Sequence, residues 1–411
     1  MATNRPSFAD YPSITMPDGL PTKNQTTIRC SMQSVQNGPP DRHLENSIVV
    51  GFNCQRLLPA KVTPVPAKNV SFGVPANGAC LHSSAIRHFR EITMPVLYLT
   101  EADVDDLLTM PVAVDAMHQG FTQLAQQRAE NVPRQRARAK GFVLHSMSAT
   151  AEYLGLGGWK QYTTTSHGAK FLVGLYALAT GELLTLIEAN RLGQMRTGAV
   201  TGLAIQQLAT TDARTAGILG SGWQAESQLE AACVVRPIER AVVFSPNPEH
   251  RMTFAAEMSR RLAIEVTAVD TPRQAVDEMP IVITATTSTA PVFEGSWIAP
   301  GALICAVGSN WLRKTEIDTT TISRARHVVC DDVACCQHEA GDFREALDQG
   351  LFEWDQARAL AEVVAAATPT RQDNSDIIVF KSVGMALEDV ALGGQLLDRA
   401  QQERKGITLP F

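Results

Sequence analysis

Lys160 stands in Gly157-Gly-Trp-Lys-Gln-Tyr162, within a stretch otherwise apolar and rich in threonine. A lysine on such a strand is either solvated at a sheet edge or a partly buried ammonium facing a carboxylate or an imine nitrogen. Arg134, Arg136, Arg138 and Lys140 alternate along the chain, so all four share one face of a strand. Such a face is solvated for part of its length, while an arginine turned inward suits a carboxylate, whose two oxygens match its planar fork. Arg196-Thr197 follows Leu192-Gly-Gln-Met195 near a helix start. A cation and a hydroxyl there can meet a phosphate or a carboxylate, and Thr197 can equally be a plain helix-start residue. Asn310 follows Val307-Gly-Ser309 and precedes Lys314 and Glu316. Its amide can hydrogen-bond a ligand but cannot pass a proton on as an aspartate could; otherwise it is a turn residue.

A ligand for these groups is suggested by Thr215-Ala-Gly-Ile-Leu-Gly-Ser-Gly-Trp-Gln-Ala225. A short apolar run ends in Gly220-Ser-Gly222, and a helical segment from Gln224 to Val234 follows. Strand, tight glycine turn and helix bring backbone against a pyrophosphate and aim a helix N-terminus at it. Gly220 can turn with positive φ, and Gly222 puts no side chain between backbone and ligand. Ser245 closes the next strand. An acidic residue there would favour the ribose diol of NAD, and a nearby arginine the 2′-phosphate of NADP. Ser245 and Asn247 are neutral and Arg251 lies further on, so NAD(H) and NADP(H) both stay open.

The elements that must hold these residues follow from hydrophobic pattern. Val96 to Leu99 reads as a strand. Thr100 caps a helix with Asp103 three residues on, and Val112 to Ala129 continues as helix after Pro111. Arg134–Arg138, Phe142–Met147, Leu154–Thr164, Phe171–Leu178 and Leu183–Ala189 read as strands. Arg191 to Leu208 reads as a long helix. A βα series follows, with strands at 215–219, 240–245, 265–268, 281–285, 303–307 and 327–330. Its helices are expected at 224–234, 249–262 and 272–279. That alternation implies a parallel, doubly wound sheet whose ligand lies at the carboxyl ends of the strands. Beyond about residue 345 the chain reads as helical, at 354–367 and 383–404, with one last strand at 376–381.

Charged residues are 19% of the 411 and hydrophobic ones 45%, an ordinary globular composition. The net charge of −6 argues against a nucleic-acid partner, which needs a basic surface. No apolar run reaches the ~20 residues that span a bilayer. Residues 1–20 lack the basic-then-apolar order of a secretory signal. The eight cysteines show no Cys-x-x-Cys spacing, and Cys335-Cys336 beside His338 makes a poor metal clamp, so no metal is expected. Free thiols fit a reducing cytoplasm. Residues 1–93 hold 10 of the 22 prolines and many Asn, Ser and Thr, and read as a poorly ordered extension.

Taken together, these motifs resemble the ornithine cyclodeaminase/μ-crystallin family. The carriers are Gly158-Trp-Lys160, Thr180-Gly-Glu-Leu-Leu184, Gln194-Met-Arg-Thr-Gly-Ala199, Gly220-Ser-Gly-Trp-Gln-Ala225, Thr284-Ala-Thr-Thr287, Gly308-Ser-Asn310 with Lys314-Thr-Glu316, and Lys381-Ser-Val-Gly-Met-Ala-Leu-Glu-Asp389. The resemblance spans roughly residues 94–400. It implies an α/β fold: a Rossmann-type doubly wound parallel sheet (209–345) inserted into a second α+β substrate and dimerisation domain (94–208 and 346–411). It implies a homodimer that uses NAD(H) or NADP(H) on small amino, imino or keto acids. By motif match, Lys160 and the basic strand hold the substrate carboxylate, with Arg134 the better fit by its spacing to Met147 and Arg136 the other candidate. Val383 lies beside the substrate. Arg196 bridges substrate and cofactor phosphate. Thr197, Gly220, Gly222, Trp223, Gln224, Ser245, Thr286, Val307, Gly308, Lys314 and Ser382 serve the cofactor. Cyclodeaminases of the family carry an acidic residue where this chain has Asn310. That departure favours single hydride transfer, by an amino-acid dehydrogenase or imino-acid reductase, over ornithine or lysine cyclodeamination. A non-catalytic, crystallin-like ligand binder is a third reading, opposed by the intact Lys160 and Arg196.

Overall fold

The computed structural model describes residues 96–410. The extension expected over 1–93 lies outside them. The described chain opens with β1 (Val96–Leu99), α1 (Glu101–Leu107) and α2 (Met110–Ala125). Thr100 caps α1 as expected: its hydroxyl accepts from Asp103 N while the Asp103 carboxylate accepts from Thr100 N. Pro111 falls in the first turn of α2, where a missing N–H costs nothing. A meander follows: β2 (Ala129–Ala139), β3 (Phe142–Ala151), β4 (Leu156–Thr165), β5 (Gly168–Ala177) and β6 (Leu183–Glu188). α3 (Asn190–Leu208) leads away from it.

The parallel series is β7 (Thr215–Leu219), α4 (Trp223–Val235), β8 (Arg240–Phe244), α5 (Pro248–Leu262), β9 (Glu265–Ala268), β10 (Ile281–Thr284), β11 (Leu303–Ala306), α6 (Thr319–Arg324), β12 (His327–Cys330), α7 (Val333–Glu339), α8 (Arg344–Asp348), β13 (Ala357–Ala359), α9 (Leu360–Ala365) and β14 (Ile378–Lys381). α10 (Ala386–Glu403) and β15 (Ile407–Leu409) end the described chain.

Two sheets result. One has seven strands in the order β15-β1-β6-β5-β4-β3-β2, and takes both early and late segments because β15 pairs antiparallel with β1. The other has eight strands in the order β13-β12-β14-β11-β10-β7-β8-β9, and every pairing in it is parallel. This is the expected doubly wound sheet. Strand order reverses beside β7, which has β8 on one flank and β10 on the other, and a crevice opens at such a switch point. β13 and β14 lie beyond residue 345, where a junction between domains was expected, yet both belong to the parallel sheet.

Two helical expectations fail for packing reasons. Residues 272–279 make only a single 3-10 turn at Arg273–Ala275. The carbonyl of Ala275 lies 1.7 Å from where a Cβ on Gly217 would stand, so this backbone rests flat on β7 and leaves no room for a wound helix. Residues 354–367 split into a turn, β13 and the short α9, because the free edge of β12 takes up Ala357–Ala359 as a strand.

α3 and α4 pack closely enough that a Cβ at Gly198 would meet Ser227 O at 2.4 Å. α3 is buried on nearly every side, so Leu192, Met195, Val200 and Leu203 join the core that both sheets share.

Candidate active site

A cleft of about 470 Å³ runs between the two sheets. One wall comes from the meander, whose antiparallel register sets side chains in rows across the strands. The inner row pairs Met147 with Lys160 and Val173, and Arg134 reaches it by donating from Nε to Met147 Sδ at 3.2 Å. The next row runs Arg136, His145, Tyr162, Phe171. His145 lies flat on Tyr162 with ring centres 4.0 Å apart, and Tyr162 stacks on Phe171 at 5.0 Å. Of the four alternating cations, Arg134 is buried, Arg136 half-buried, and Arg138 and Lys140 exposed, so the basic face divides as the sequence suggested.

The inner row holds charge that is almost fully enclosed. Lys160 is 2% exposed and its Nζ donates to Asp389 Oδ1 at 2.7 Å. Burial pulls the Lys160 ammonium down to about 8; Asp389 opposes the fall, and Arg196 and Arg134 add to it. Arg196 pairs with Glu388 at 2.5 Å and lies 3.5 Å from Asp389 Oδ1. Burial works against its charge, but Asp389 and Glu388 overcome it and raise its pKa, so it stays a cation. Gly384, at φ +79°, is required here: a Cβ on it would meet the Arg196 guanidinium at 2.4 Å. Arg134 pairs with Glu339 and donates to the carbonyls of Val383 and Gly384 at 3.0 and 3.1 Å. Arg136 shares Glu339 at 2.6 Å, donates to Asn310 O at 3.1 Å, and stacks over the Trp311 ring at 4.5 Å. His145 Nδ1 accepts from Arg136 Nε at 3.2 Å, which leaves the ring proton on Nε2, facing Thr164 Oγ1 at 3.1 Å. Burial, then Arg136, Arg134 and Arg138, hold His145 down at about 4, so it is a neutral ring.

The opposite wall is largely backbone. Gly220 has φ +110°, and a Cβ there would strike Ala285 O at 2.5 Å. Gly222 caps the N-terminus of α4, and a Cβ built on it meets nothing within 4 Å. Gly308 approaches the loop after β10 so closely that a Cβ would lie 2.3 Å from Thr286 N. Glu316 fastens this corner by accepting from Thr286 N, Thr286 Oγ1 and Gly308 N at 2.7 to 2.8 Å. An open glycine at a helix N-terminus, beside strand ends stripped of side chains, fits a dinucleotide pyrophosphate. The buried Gln224 Oε1, which has no hydrogen-bond partner, points to a further polar contact on that wall.

Of the residues singled out in the sequence, Arg134, Lys160, Arg196, Thr197, Gly222, Trp223, Gln224, Thr286, Val307, Gly308, Asn310, Ser382 and Val383 all line this cleft. Arg136 stands behind Asn310, and Gly220 sits at the end of β7. Ser245 lies off the cleft, its hydroxyl 2.7 Å from Ser221 Oγ and its carbonyl accepting from Arg251 at 2.9 Å. Lys314 does not line the cleft; its backbone closes the turn after Asn310. Thr197 also turns its hydroxyl onto Gly193 O at 2.7 Å. Glu339, Glu388 and Asp389 carry no mark in the sequence as site residues, although the last two end the Lys381–Asp389 motif. His145, Tyr162 and Phe171 are legible only once strand register places them opposite Arg136. Among the described residues no group of three His, Cys, Asp or Glu side chains is placed to hold a metal. Nor is any helix among them long and apolar enough to cross a membrane.

The profile of the ornithine cyclodeaminase/mu-crystallin family matches residues 95–404. The Delta(1)-pyrroline-2-carboxylate reductase of Bacillus cereus is 31% identical over 248 residues, 59% of this chain and 76% of that one. Among solved structures, the Delta(1)-pyrroline-2-carboxylate reductase of Thermococcus litoralis, in complex with NADH and L-proline, has a TM-score of 0.73 and 30% identity, over 76% of this chain and all of that one. An archaeal alanine dehydrogenase dimer with bound NAD has a TM-score of 0.73 and 26% identity, over 77% of this chain and all of that one.

Proposed function

The chain belongs to the ornithine cyclodeaminase/mu-crystallin family, and on that premise we propose that it reduces small α-imino acids to α-amino acids, or runs the reverse oxidation. It is an NAD(P)-dependent oxidoreductase, like the reductases and dehydrogenase it resembles. The observation that carries the reading is Lys160, enclosed at the inner end of a cleft whose other wall is a glycine cradle. When bound, a reduced nicotinamide supplies the hydride.

The remaining work falls to this chain's own side chains. Arg134, Lys160 and Arg196 bring three cations to the inner end, where a substrate carboxylate is drawn. Arg134 already donates five N–H bonds less one, to Met147, Val383, Gly384 and Glu339, so it offers the carboxylate a single bond and its charge. Lys160 gives one N–H to Asp389 and keeps two for the substrate. One of these passes its proton to the imine nitrogen while the carbon receives hydride. An ammonium at about 8 is matched to that exchange near neutral pH. Reduction needs Lys160 charged, so its rate falls as pH rises through about 8, and oxidation needs it neutral and gains over the same range.

Cyclodeamination of diamino acids suits this cleft poorly. Asn310 puts an amide where an acid would handle the protons of cyclodeamination. A homodimer completes the reading, supported by the dimeric archaeal relative and by exposed Val132, Tyr176 and Leu178 on the meander. A cytoplasmic setting is supported by the free cysteines 233, 305, 330, 335 and 336.

The test is a panel of cyclic and open imino acids, keto acids with ammonia, and amino acids, each with NADH, NADPH and their oxidised forms, followed by nicotinamide absorbance. Stoichiometric oxidation of reduced nicotinamide with an imino acid is expected. Ornithine with NAD yielding proline and ammonia without net reduced nicotinamide would overturn the reading.

A further inference from the structure

α10 begins at Ala386, just past the strand end where Ser382, Val383 and Gly384 line the cleft. That start sets Glu388 and Asp389 in its first turn, facing inward beneath both cleft cations. Asp389 is fully buried. It holds Lys160 Nζ at 2.7 Å through Oδ1, and the same oxygen lies 3.5 Å from Arg196 Nε. Its other oxygen, Oδ2, is buried without a hydrogen-bond partner, an arrangement that stability alone disfavours. Nothing else fixes Lys160 by hydrogen bond among the described residues; the neighbouring groups are Phe171, 5.4 Å from Nζ to the ring centre, and Gly193. A Cβ on Gly193 would come to 3.0 Å from Nζ, so α3 leaves the ammonium only the room it needs.

We propose that Asp389 is a positioning residue for the reaction: it holds Lys160 as an ammonium aimed at the substrate nitrogen and absorbs the change of charge when that ammonium gives up its proton. The proposal rests on the imino-acid reading above. In the reductive direction one N–H bond of Lys160 breaks and one forms at the imine nitrogen, while the imine carbon gains hydride from the reduced nicotinamide, which is oxidised by two electrons. Lys160 is left as an amine and regains a proton from solvent. Asp389 takes no proton in this step, and Arg196 Nε lies 3.5 Å from its Oδ1. The groups facing Lys160 fix the sign of the effect. Asp389 favours the ammonium, while Glu388, one residue before it on α10, is itself raised to about 8 by burial and is largely protonated at neutral pH. Arg196 on α3 and Arg134 on β2 oppose the ammonium, and His145 on β3 and Tyr162 on β4 are neutral. Removing the Asp389 charge therefore makes Lys160 a weaker base.

The experiment is Asp389→Asn in the full chain, with two readouts. In the first, kcat and KM for the best imino acid of the panel are followed against pH. In the second, the pH dependence of Lys160 acetylation by acetic anhydride is read by mass spectrometry, which needs neither substrate nor cofactor. The expected result is a kcat lower by about 10²-fold with KM changed little. The alkaline limb of the profile and the acetylation midpoint both move to lower pH by about one unit or more. A variant whose limb and midpoint match the wild type overturns the proposal while leaving the reductase reading intact. A wild type that transfers no hydride to any imino acid overturns the reading, and the acetylation midpoint still tests the hold of Asp389 on Lys160. Gly193→Ala covers the case of a misfolded Asp389→Asn: it keeps the carboxylate but sets a methyl 3.0 Å from Nζ and so disturbs the pair, so a shifted midpoint and a slower kcat support the proposal, and an unchanged pair overturns it.

Discussion

The two ends of the cleft are built from different materials. The end proposed for the cofactor is mostly main chain: Gly220, Gly222 and Gly308 with the N-terminus of α4. The end proposed for the substrate is made of buried basic and acidic groups matched in pairs, Arg134 with Glu339, Arg196 with Glu388, and Lys160 with Asp389. A backbone cradle makes the same bonds to any pyrophosphate, so it sets the cofactor class and leaves the substrate open. Enclosed ion pairs are costly unless both partners are present, and that cost holds each cation in one position. The difference is between a surface that accepts a common group and a set of charges tuned to one reaction.

The comparison breaks most visibly at Lys160. In Lys160→Ala, turnover should fall by about 10³-fold or more, with cofactor affinity within about threefold of wild type, read by protein fluorescence quenching on titration with NADH and NADPH. Parallel losses of turnover and cofactor affinity would show that the two ends are not separable. Gly222→Ala probes the opposite end. Because the added Cβ meets no protein atom, folding and thermal stability should be unchanged while cofactor dissociation constants rise about tenfold, roughly 1.4 kcal/mol. A separate effect falls on acid stability, outside the chemistry at either end. His145 is held at about 4 against an ordinary 6.5, so the unfolded chain binds more protons between those values and stability drops as pH falls through them. At about 1.4 kcal/mol per unit the loss is on the order of 3 kcal/mol, and His145→Gln should flatten it in denaturant titrations between pH 6.5 and 4.

Legibility in the sequence follows the same division. The strand–glycine–helix order at Thr215–Ala225 depends on neighbours in the chain, so the cradle, the parallel sheet and the capping of α1 by Thr100 can all be read locally. Lys160 and Arg196 stand out as charges in apolar or glycine-rich surroundings. Their partners do not, because Glu339, Glu388 and Asp389 sit in ordinary helical stretches and become site residues only through tertiary packing. The same holds for the failed helix at 272–279, where Gly217 on another strand decides the outcome. Asn310 was legible as a departure, but not the use of its carbonyl, which accepts from Arg136 across 174 positions.

The separation of the paired charges along the chain also orders events during synthesis. Residues 215–316, which form the glycine cradle and the Glu316 fastening, are contiguous, whereas Arg134 and Glu339 lie 205 positions apart and Lys160 and Asp389 lie 229 apart. Contacts across such distances close late, since loop entropy must be overcome first. A growing polypeptide can therefore present a finished nucleotide cradle while Lys160 and Arg196 still await their counter-charges, and the pocket becomes selective only when α10 docks.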